Sequence, residues 1–345
     1  MVVPPPSELV ACIAADLATW APHPVHVELA IYGTDDAAAI AAALDELCAA
    51  ALGARIAGAR FYGSSVGSVA GVVLADGREV VIKAHQPGTS ASQLRELIRV
   101  RARLGGVGSP RVLAGPAPIG RGHAVIEALV ARGAWAEPHE PAVRRLLVRG
   151  LYAIVEACGP EVAASTLGPM LLGALPPERL WPVPHSKLFD FEATAAGAGW
   201  IDDVARAARA VPRAGELVIG HADWRAEHVR FADGAIAVAY DWDSLARDRE
   251  PALVGSCAHA FTADWTRAGR AQAPTLDEAR AFVEDYEAAR GRRFERAERA
   301  ACAATFAYAC AYTARCGHAL GRDERDEPGT FQHLVARHGG GLLAL

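Results

Sequence analysis

The first fifty residues carry apolar positions at helical spacing. An apolar run from Leu9 to Trp20 follows Ser7, a residue type that often caps a helix N-terminus. A second run, rich in Ala and Leu and covering residues 37–52, follows Asp35, another candidate cap. These patterns predict two helices at the start of the chain.

The pattern then changes to short β-branched runs. Residues 60–69 contain several Gly and Ser, and the runs at 70–74 and 79–83 are separated by an Asp76-Gly77 pair. Asp-Gly between β-branched runs is a strong hairpin signal. The sequence therefore predicts a glycine-rich loop inside an antiparallel meander.

The remaining chain shifts from a mixed to a mainly helical pattern. A helical pattern at 93–104 is followed by extended runs at 109–113 and 124–130. Beyond residue 141 the spacing predicts helices at 142–158, 189–210, 276–290 and 296–319, with a strand-like interruption at 217–242. We expect an α+β fold with a small strand-rich lobe at 1–130 and a larger helical lobe at 131–345.

Composition narrows the function classes. A chain of 345 residues with 52% hydrophobic and 22% charged residues is typical of a globular protein with two lobes. The net charge of -5 argues against nucleic-acid binding, which needs a basic surface. Residues 1–6 lack a signal-peptide pattern, and the apolar segment 301–314 is too short to span a bilayer, so we expect a cytoplasmic protein without membrane contact.

The seven cysteines are scattered through apolar stretches and contain no Cys-x-x-Cys pair. This pattern predicts reduced, buried thiols and neither a disulfide framework nor a zinc site.

Lysine is rare in this sequence. Of the 35 Lys and Arg residues, only Lys83 and Lys187 are lysines. Arginine therefore takes the place of lysine almost everywhere that only a positive charge is needed. Lys83 ends the strand that follows the glycine-rich loop, where an ammonium group could reach phosphate oxygens bound by backbone N–H groups of the loop. A solvated lysine on an edge strand is the alternative.

Glu96, in the helix after that strand, is a candidate ion-pair partner that would hold Lys83 in place. The loop residues that could contact phosphates are Gly63, Ser64, Ser65, Gly67 and Ser68.

Two aspartates end apolar β segments near the middle of the helical lobe. Asp223 and Asp241 are connected through a hairpin with an Asp233-Gly234 turn, so both carboxylates should reach one edge of a small ribbon. Two carboxylates so placed suit metal-assisted chemistry, in which one binds a divalent cation and the other orients or deprotonates a hydroxyl. Structural carboxylates are the alternative.

Together these features resemble the aminoglycoside phosphotransferase and choline kinase family, whose fold is like that of the protein kinases. The family pattern His-Gly-Asp-x-x-x-x-Asn followed by Ile-Asp-Trp is matched by His221-Ala222-Asp223 and by Tyr240-Asp241-Trp242. The segment 106–113 is similar to the stretch after the family's first-lobe helix, and residues 127–129 resemble the interlobe hinge.

The resemblance implies ATP or GTP as phosphoryl donor with Mg²⁺, Mn²⁺ being possible. Lys83 would hold the α- and β-phosphates with Glu96 fixing it, and the hinge at Glu127 and Leu129 would hold the base. Asp223 would accept or orient the substrate hydroxyl, and Asp241 would bind the metal. His221 would brace the loop by a hydrogen bond.

One position departs from the family pattern. His228 stands where the family has an asparagine that binds a second metal ion. Imidazole is a poor Mg²⁺ ligand, so three roles stay open: His228 donates to the γ-phosphate, the site holds one metal, or Glu227 or Asp243 supplies the missing oxygen. A decayed, inert site is the remaining reading. Arg225 could pair with a phosphate or with an acidic substrate.

We therefore expect a small-molecule O-phosphotransferase that acts on a hydroxylated acceptor. Antibiotic inactivation, with an aminoglycoside, macrolide or nucleoside antibiotic as acceptor, is the leading hypothesis. Asp243 is the candidate substrate contact, Asp223, Arg225 and His228 are the candidate catalytic residues, and Asp241 and His228 are the candidate metal ligands. A metabolic kinase of the choline, sugar or homoserine type and an inert nucleotide-binding module are the alternatives. The chain is expected to be a monomer or a homodimer.

Overall fold

The computed structural model describes residues 6–21, 23, 25–105, 107–184, 186–267 and 269–345. The N-terminal residues 1–5 and Gly106, which entered the predictions above, lie outside this set. The chain divides into two compact units, Met1–Arg99 with Pro110–Ala131 and Val100–Ser109 with Arg132–Leu345. The segment 100–109, which the sequence places in the first lobe, thus belongs to the second unit.

The first unit is a five-stranded antiparallel sheet backed by helices. The strand order is β1-β2-β3-β5-β4. Its elements are α1 (Ser7–Thr19), α2 (His26–Ile31), α3 (Ala37–Leu52), β1 (Ile56–Ser64), β2 (Ser68–Leu74), β3 (Glu79–His85), α4 (Ala91–Arg101), β4 (Val112–Ile119) and β5 (Gly122–Ala128).

The core of this unit lies between the N-terminal helices and one face of the sheet. Leu9 from α1 and Leu44 from α3 pack in one cluster with Val72, Ile82 and Ile126 from the three central strands. Burial of each such side chain contributes about 1.5–3 kcal/mol, so this helical layer is held to the sheet by many apolar contacts.

The predicted meander is confirmed, and the helix caps need correction. β1, β2 and β3 pair in antiparallel register around a tight turn at Gly77, which has a φ of 85°. Pro6, not Ser7, precedes α1, and no side chain caps that helix. Asp36, not Asp35, caps α3, because its carboxylate accepts hydrogen bonds from the N–H groups of residues 38 and 39.

The second unit is mainly helical with two small antiparallel ribbons, β6 with β9 and β7 with β8. Its elements are α5 (Pro141–Cys158), α6 (Gly199–Arg209), β6 (Leu217–His221), β7 (Val229–Ala232), β8 (Ala235–Ala239), β9 (Leu245–Arg249), α7 (Glu250–Ala260), α8 (Leu276–Arg290), α9 (Arg296–Ala319) and α10 (Phe331–His338). Short 3₁₀ turns occur at Gly159–Glu161, Leu171–Ala174, Ala226–His228, Trp242–Ser244 and Gly339–Ala344.

Two helix predictions were wrong in length. The pattern at 189–210 is helical only over Gly199–Arg209, because the Asp190 carboxylate accepts from the N–H groups of residues 192 and 193 and forms a turn. Gly197 then adopts a φ of 75° and interrupts the chain again. The helix predicted at 93–104 ends at Arg101.

Helices α2, α7 and α10 and strand β9 were not predicted. Most residues of α7 are buried, so its sequence carries no polar face that would reveal a helical period. Among the helices that the structure describes, none has the length and apolar character that crossing a bilayer requires.

Candidate active site

Strand β6 leads into the segment that carries Asp223. His221 ends the strand fully buried, and its Nε2 donates a hydrogen bond of 3.1 Å to the backbone carbonyl of Tyr240. The imidazole lies edge-on to Trp224 and Trp242, with ring centroids 5.3 and 5.4 Å away. His221 therefore connects the Asp223 segment to the Asp241 segment through a buried aromatic cluster.

Trp224 fixes the backbone next to Asp223. Its indole is fully buried and donates a hydrogen bond of 2.8 Å to the carbonyl of Leu147 in α5. On the other side, the N–H of Ala222 donates to the carbonyl of Ser244 at 2.9 Å. The Asp223 backbone is thus held by α5 and by the turn that follows Asp241.

Asp241 follows β8 in a left-handed conformation, with a φ of 58° and a ψ of 44°. A non-glycine residue there is strained, and such strain concentrates at functional sites. The next residue, Trp242, is fully buried and donates to the carbonyl of Ala239 at 2.7 Å, which holds the turn in place. The Ser244 hydroxyl donates to Asp241 Oδ2 at 3.0 Å and orients the carboxylate.

These elements bring three potential ligand groups together. One atom each from Asp223, His228 and Asp241 lies within 4.8 Å of the others. The cluster is assembled from the end of β6, the 3₁₀ turn Ala226–His228 and the end of β8. The two carboxylates offer the hard oxygen ligands that Mg²⁺ prefers.

His228 uses both of its ring nitrogens within this loop. Nδ1 lies 3.1 Å from the backbone carbonyl of Asp223, so it must carry the proton. Nε2 then has the lone pair, and it accepts a hydrogen bond of 3.1 Å from Nη2 of Arg225. His228 is buried, with 8% of its surface exposed.

Arg225 lies among acidic groups. Its Nη1 is 3.3 Å from Asp223 Oδ2, and its Nε is 3.4 Å from Glu227 Oε2. The same Glu227 oxygen accepts a hydrogen bond of 3.0 Å from the N–H of Trp265. Glu227, one candidate for the missing metal oxygen, is thus engaged by Arg225 and by the segment after α7.

Burial shifts the pKa values of this loop. Burial raises the pKa of Asp223 to about 6, with Arg225 lowering it and Asp241 raising it. Burial, and then the Arg225 charge, lower the pKa of His228 to about 3, so this imidazole is neutral at physiological pH.

The glycine-rich loop of the first unit is the hairpin turn between β1 and β2. Gly63 and Ser64 end β1, Ser65 and Gly67 form the turn, and Ser68 begins β2. The N–H of Ser65 donates to the carbonyl of Gly67 at 3.0 Å. A Cβ at position 67 would lie 2.6 Å from the carbonyl oxygen of Ala84, so only glycine fits against β3 there.

Two hydroxyls of this loop contact side chains of the N-terminal helical segment. The Ser64 hydroxyl donates to Asp16 at 2.8 Å, and the hydroxyls of Ser68 and Tyr32 share a hydrogen bond of 2.7 Å. A contact of these two serines with phosphate would therefore use the backbone N–H groups.

Lys83 and Glu127 share one face of the sheet. Lys83 lies opposite Val125, and Glu127 lies opposite Val81, two residues before Lys83. Both charged side chains are nearly buried, with 8% and 3% of their surfaces exposed. The opposite face carries the apolar core, so Lys83 is held on the face that the N-terminal helices leave uncovered.

The other predicted nucleotide contacts have partners within the first unit. The Glu96 carboxylate accepts a hydrogen bond of 2.8 Å from Arg99, one helical turn later. The N–H of Leu129 donates to the carbonyl of Glu79 at 3.0 Å.

In the second unit, Asp243 lies partly buried in the turn after Asp241. Sequence reasoning missed Ser244, Asp16 and Tyr32, which contact predicted site residues. No local pattern marks them, because each contact depends on tertiary packing.

Comparison with known proteins shows the fold. No protein-family model and no curated protein matches the sequence. The crystal structure of spectinomycin phosphotransferase in complex with ADP and spectinomycin is 13% identical, covers 85% of this chain and 96% of its own, and has a TM-score of 0.56. The apoenzyme of macrolide 2'-phosphotransferase MphH from Brachybacterium faecium is 16% identical, with a TM-score of 0.50. The match again covers 85% of this chain and 96% of the other. The chain has the fold of these proteins, which confirms the predicted α+β, kinase-like fold class.

Proposed function

We propose that this protein transfers the γ-phosphoryl group of ATP or GTP to a hydroxyl group of a small molecule. The main support is the cluster of Asp223 and Asp241, whose carboxylate oxygens lie within 4.8 Å of each other. This cluster occurs in a fold shared with spectinomycin and macrolide phosphotransferases. The sequence alone predicted these same two carboxylates as the reacting pair.

Asp223 acts on the acceptor hydroxyl. The hydroxyl oxygen attacks the γ-phosphorus, and its proton passes to the Asp223 carboxylate. The new oxygen–phosphorus bond forms as the bond from the γ-phosphorus to the bridging oxygen breaks, and the nucleoside diphosphate leaves with that electron pair. A pKa of about 6 keeps Asp223 largely deprotonated at physiological pH and therefore able to take the proton.

The donor set fits one divalent cation. Asp241, oriented by Ser244 and placed next to Asp223, would hold Mg²⁺ or Mn²⁺ through carboxylate oxygens. When bound, the cation would neutralise phosphate charge. His228 does not fit as a ligand in the observed arrangement, because its Nε2 lone pair accepts from Arg225.

The first unit supplies the nucleotide contacts in this proposal. The nearly buried ammonium group of Lys83 would bind the α- and β-phosphates, and the backbone N–H groups of residues 66 and 67 would bind the outer phosphates. Glu96 would fix Lys83, and the backbone at Glu127 and Leu129 would contact the base.

The acceptor in this proposal is a hydroxylated antibiotic. The support is the acceptor named for the two similar structures, spectinomycin in one and a macrolide in the other. Asp243, two residues after the metal-binding carboxylate, is the proposed substrate contact. An inert nucleotide-binding protein is the second candidate, and the engaged imidazole of His228 is the observation that favours it.

The test is phosphoryl transfer across a panel of hydroxylated antibiotics. Nucleoside diphosphate release and the mass of the acceptor are measured with Mg²⁺ or Mn²⁺. Asp223→Asn should lower kcat by about 10²–10⁴-fold, the range for loss of a general base, while nucleotide affinity stays within a few-fold. Asp233→Asn, the same change at the exposed turn between β7 and β8, is the matched control and should keep wild-type activity. Nucleotide binding without transfer to any acceptor would favour the inert protein, and equal turnover in Asp223→Asn would refute the assigned role.

A further inference from the structure

Arg225 is a cation fixed against the proposed reacting carboxylate. Its Nη1 lies 3.3 Å from Asp223 Oδ2, and only 19% of its side chain is exposed. A guanidinium group is always charged in proteins, so this position carries a permanent positive charge. The surrounding carboxylates of Asp223, Glu227 and Asp241 make the loop acidic without it.

The guanidinium group makes one hydrogen bond and two charge contacts, to Asp223 and Glu227, within the described part of the chain. Arginine has five N–H donors, and within the described part of the chain Arg225 makes one hydrogen bond, to His228 Nε2. Its buried Nε makes no hydrogen bond, although Glu227 Oε2 lies 3.4 Å away and forms an ion pair with it. Buried donors without partners are costly, and phosphate oxygens match the planar donor geometry of arginine best. The N–H groups that remain beyond these contacts can bind an anionic ligand.

His228 holds Arg225 without cancelling its charge. The Nδ1 proton is committed to the carbonyl of Asp223, so Nε2 can only accept, and it accepts from Arg225. A carboxylate in this place would add a third negative charge beside the guanidinium, next to those of Asp223 and Glu227, whereas a neutral imidazole adds none. The same two contacts use both ring nitrogens, so this tautomer has no lone pair left for a metal ion.

We propose that His228 is a positioning residue that fixes Arg225 beside Asp223, and that Arg225 binds the transferring phosphoryl group as a permanent cation where a second metal ion would otherwise act. This inference rests on the proposed phosphotransferase function and assigns roles within that site. Arg225 touches the reacting group, and His228 acts through Arg225. The site then works with one divalent cation, held by the carboxylates.

The two possible roles of His228 differ in metal stoichiometry. If His228 were a metal ligand, its Nε2 would have to exchange Arg225 for the cation, and replacing the imidazole would remove a bound metal ion. If His228 positions Arg225, the number of bound metal ions is independent of the imidazole. Bound Mn²⁺ per chain, counted by electron paramagnetic resonance with a non-hydrolysable ATP analogue, separates these roles without reference to turnover.

The test combines this count with steady-state kinetics of Arg225→Gln, His228→Phe and the double variant. Wild type and all three variants should bind one Mn²⁺ per chain. Arg225→Gln should lower kcat by about 10²–10³-fold, the usual effect of losing one donor to a developing charge, with both KM values within about threefold. The double variant should be no slower than Arg225→Gln, because His228 acts through Arg225. Arg206→Gln, on an exposed side chain of α6, is the matched control and should match the wild type.

Chemical rescue distinguishes loss of the Arg225 guanidinium group from misfolding of the variant. Turnover of Arg225→Ala should rise when ethylguanidinium is added, and the Arg206→Ala control should not respond. Loss of a bound Mn²⁺ in His228→Phe, full turnover in Arg225→Gln, or a raised acceptor KM with unchanged kcat would each overturn the inference alone. A wild-type protein that binds no nucleotide would overturn the proposed function and the inference with it.

Discussion

The Ser64 hydroxyl at the end of β1 donates a hydrogen bond of 2.8 Å to the Asp16 carboxylate of α1. The indole N–H of Trp20 donates to the same hydroxyl at 3.2 Å. The glycine-rich turn that follows Ser64 is therefore anchored by a helix 48 residues earlier in the chain. The N-terminal helices serve the proposed nucleotide site by fixing the start of its loop.

Replacing Asp16 should loosen the glycine-rich turn. Asp16→Ala removes an acceptor from the Ser64 hydroxyl, and a hydrogen bond to a charged group contributes about 1.5–3 kcal/mol. We expect weaker nucleotide binding, by roughly threefold to tenfold, and faster amide hydrogen exchange at residues 63–68. Titration calorimetry and hydrogen exchange measure these effects. Glu46→Ala, an exposed acidic residue of α3, is the control, and equal exchange in both variants would contradict the anchoring role.

The indole of Trp224 should be required for a stable Asp223 segment. Trp224→Phe keeps an aromatic ring and removes the N–H that donates to the carbonyl of Leu147 in the interior of α5. Loss of one such hydrogen bond costs about 0.5–1.5 kcal/mol, so Tm should fall by a few degrees. Thermal unfolding followed by circular dichroism tests this. Trp265→Phe, at a side chain 48% exposed, should leave Tm nearly unchanged; a similar Tm for both variants would argue against a structural role of the indole.

The pair of His139 and Glu278 should make the second unit less stable at alkaline pH. The hydrogen bond from His139 to Glu278, 2.8 Å long, raises the pKa of His139 above 6.5. Burial raises the pKa of Glu278, but its hydrogen bonds with His139 and Thr275 together lower that pKa below 4.5. The contribution of His139 to stability is complete below pH 6.5 and is lost as pH rises through its folded pKa, whereas that of Glu278 is lost as pH falls below 4.5.

Denaturant unfolding at pH 5.5 and pH 9 measures this dependence. His139→Gln should reduce the free energy of unfolding more at the lower pH, where the wild-type imidazole is charged. Glu278→Gln should flatten the pH dependence in the same way. An equal loss at both pH values would show that the pair contributes nothing through its charge.

The sequence predicted the parts of the fold that local patterns encode. The Asp-Gly turns and β-branched runs revealed the β1–β3 meander and the ribbon that connects Asp223 with Asp241. Both carboxylates could be placed because each ends an apolar strand and one hairpin separates them. The length of the helix at 189–210 could not be predicted, because a turn formed by the Asp190 side chain competes with helix formation there.

The finer geometry of the site depends on tertiary contacts. The orientation of Arg225 results from the 3₁₀ turn that brings His228 back toward Asp223, and no spacing rule encodes it. The commitment of the Ser64 hydroxyl to Asp16 likewise depends on packing of α1 against β1. Helix α7 was missed because burial on nearly all sides removes the polar face that would mark it.

The proposed function predicts that Lys83 binds nucleotide phosphates directly and that Asp241 binds them through a divalent cation. Titration calorimetry of a non-hydrolysable ATP analogue, with and without Mg²⁺, tests it most directly. Lys83→Ala should weaken binding at least tenfold in both conditions, whereas Asp241→Asn should weaken it only when Mg²⁺ is present. Lys187→Ala, at the exposed second lysine, should bind like the wild type. Unchanged affinity in Lys83→Ala and in Asp241→Asn would contradict the account.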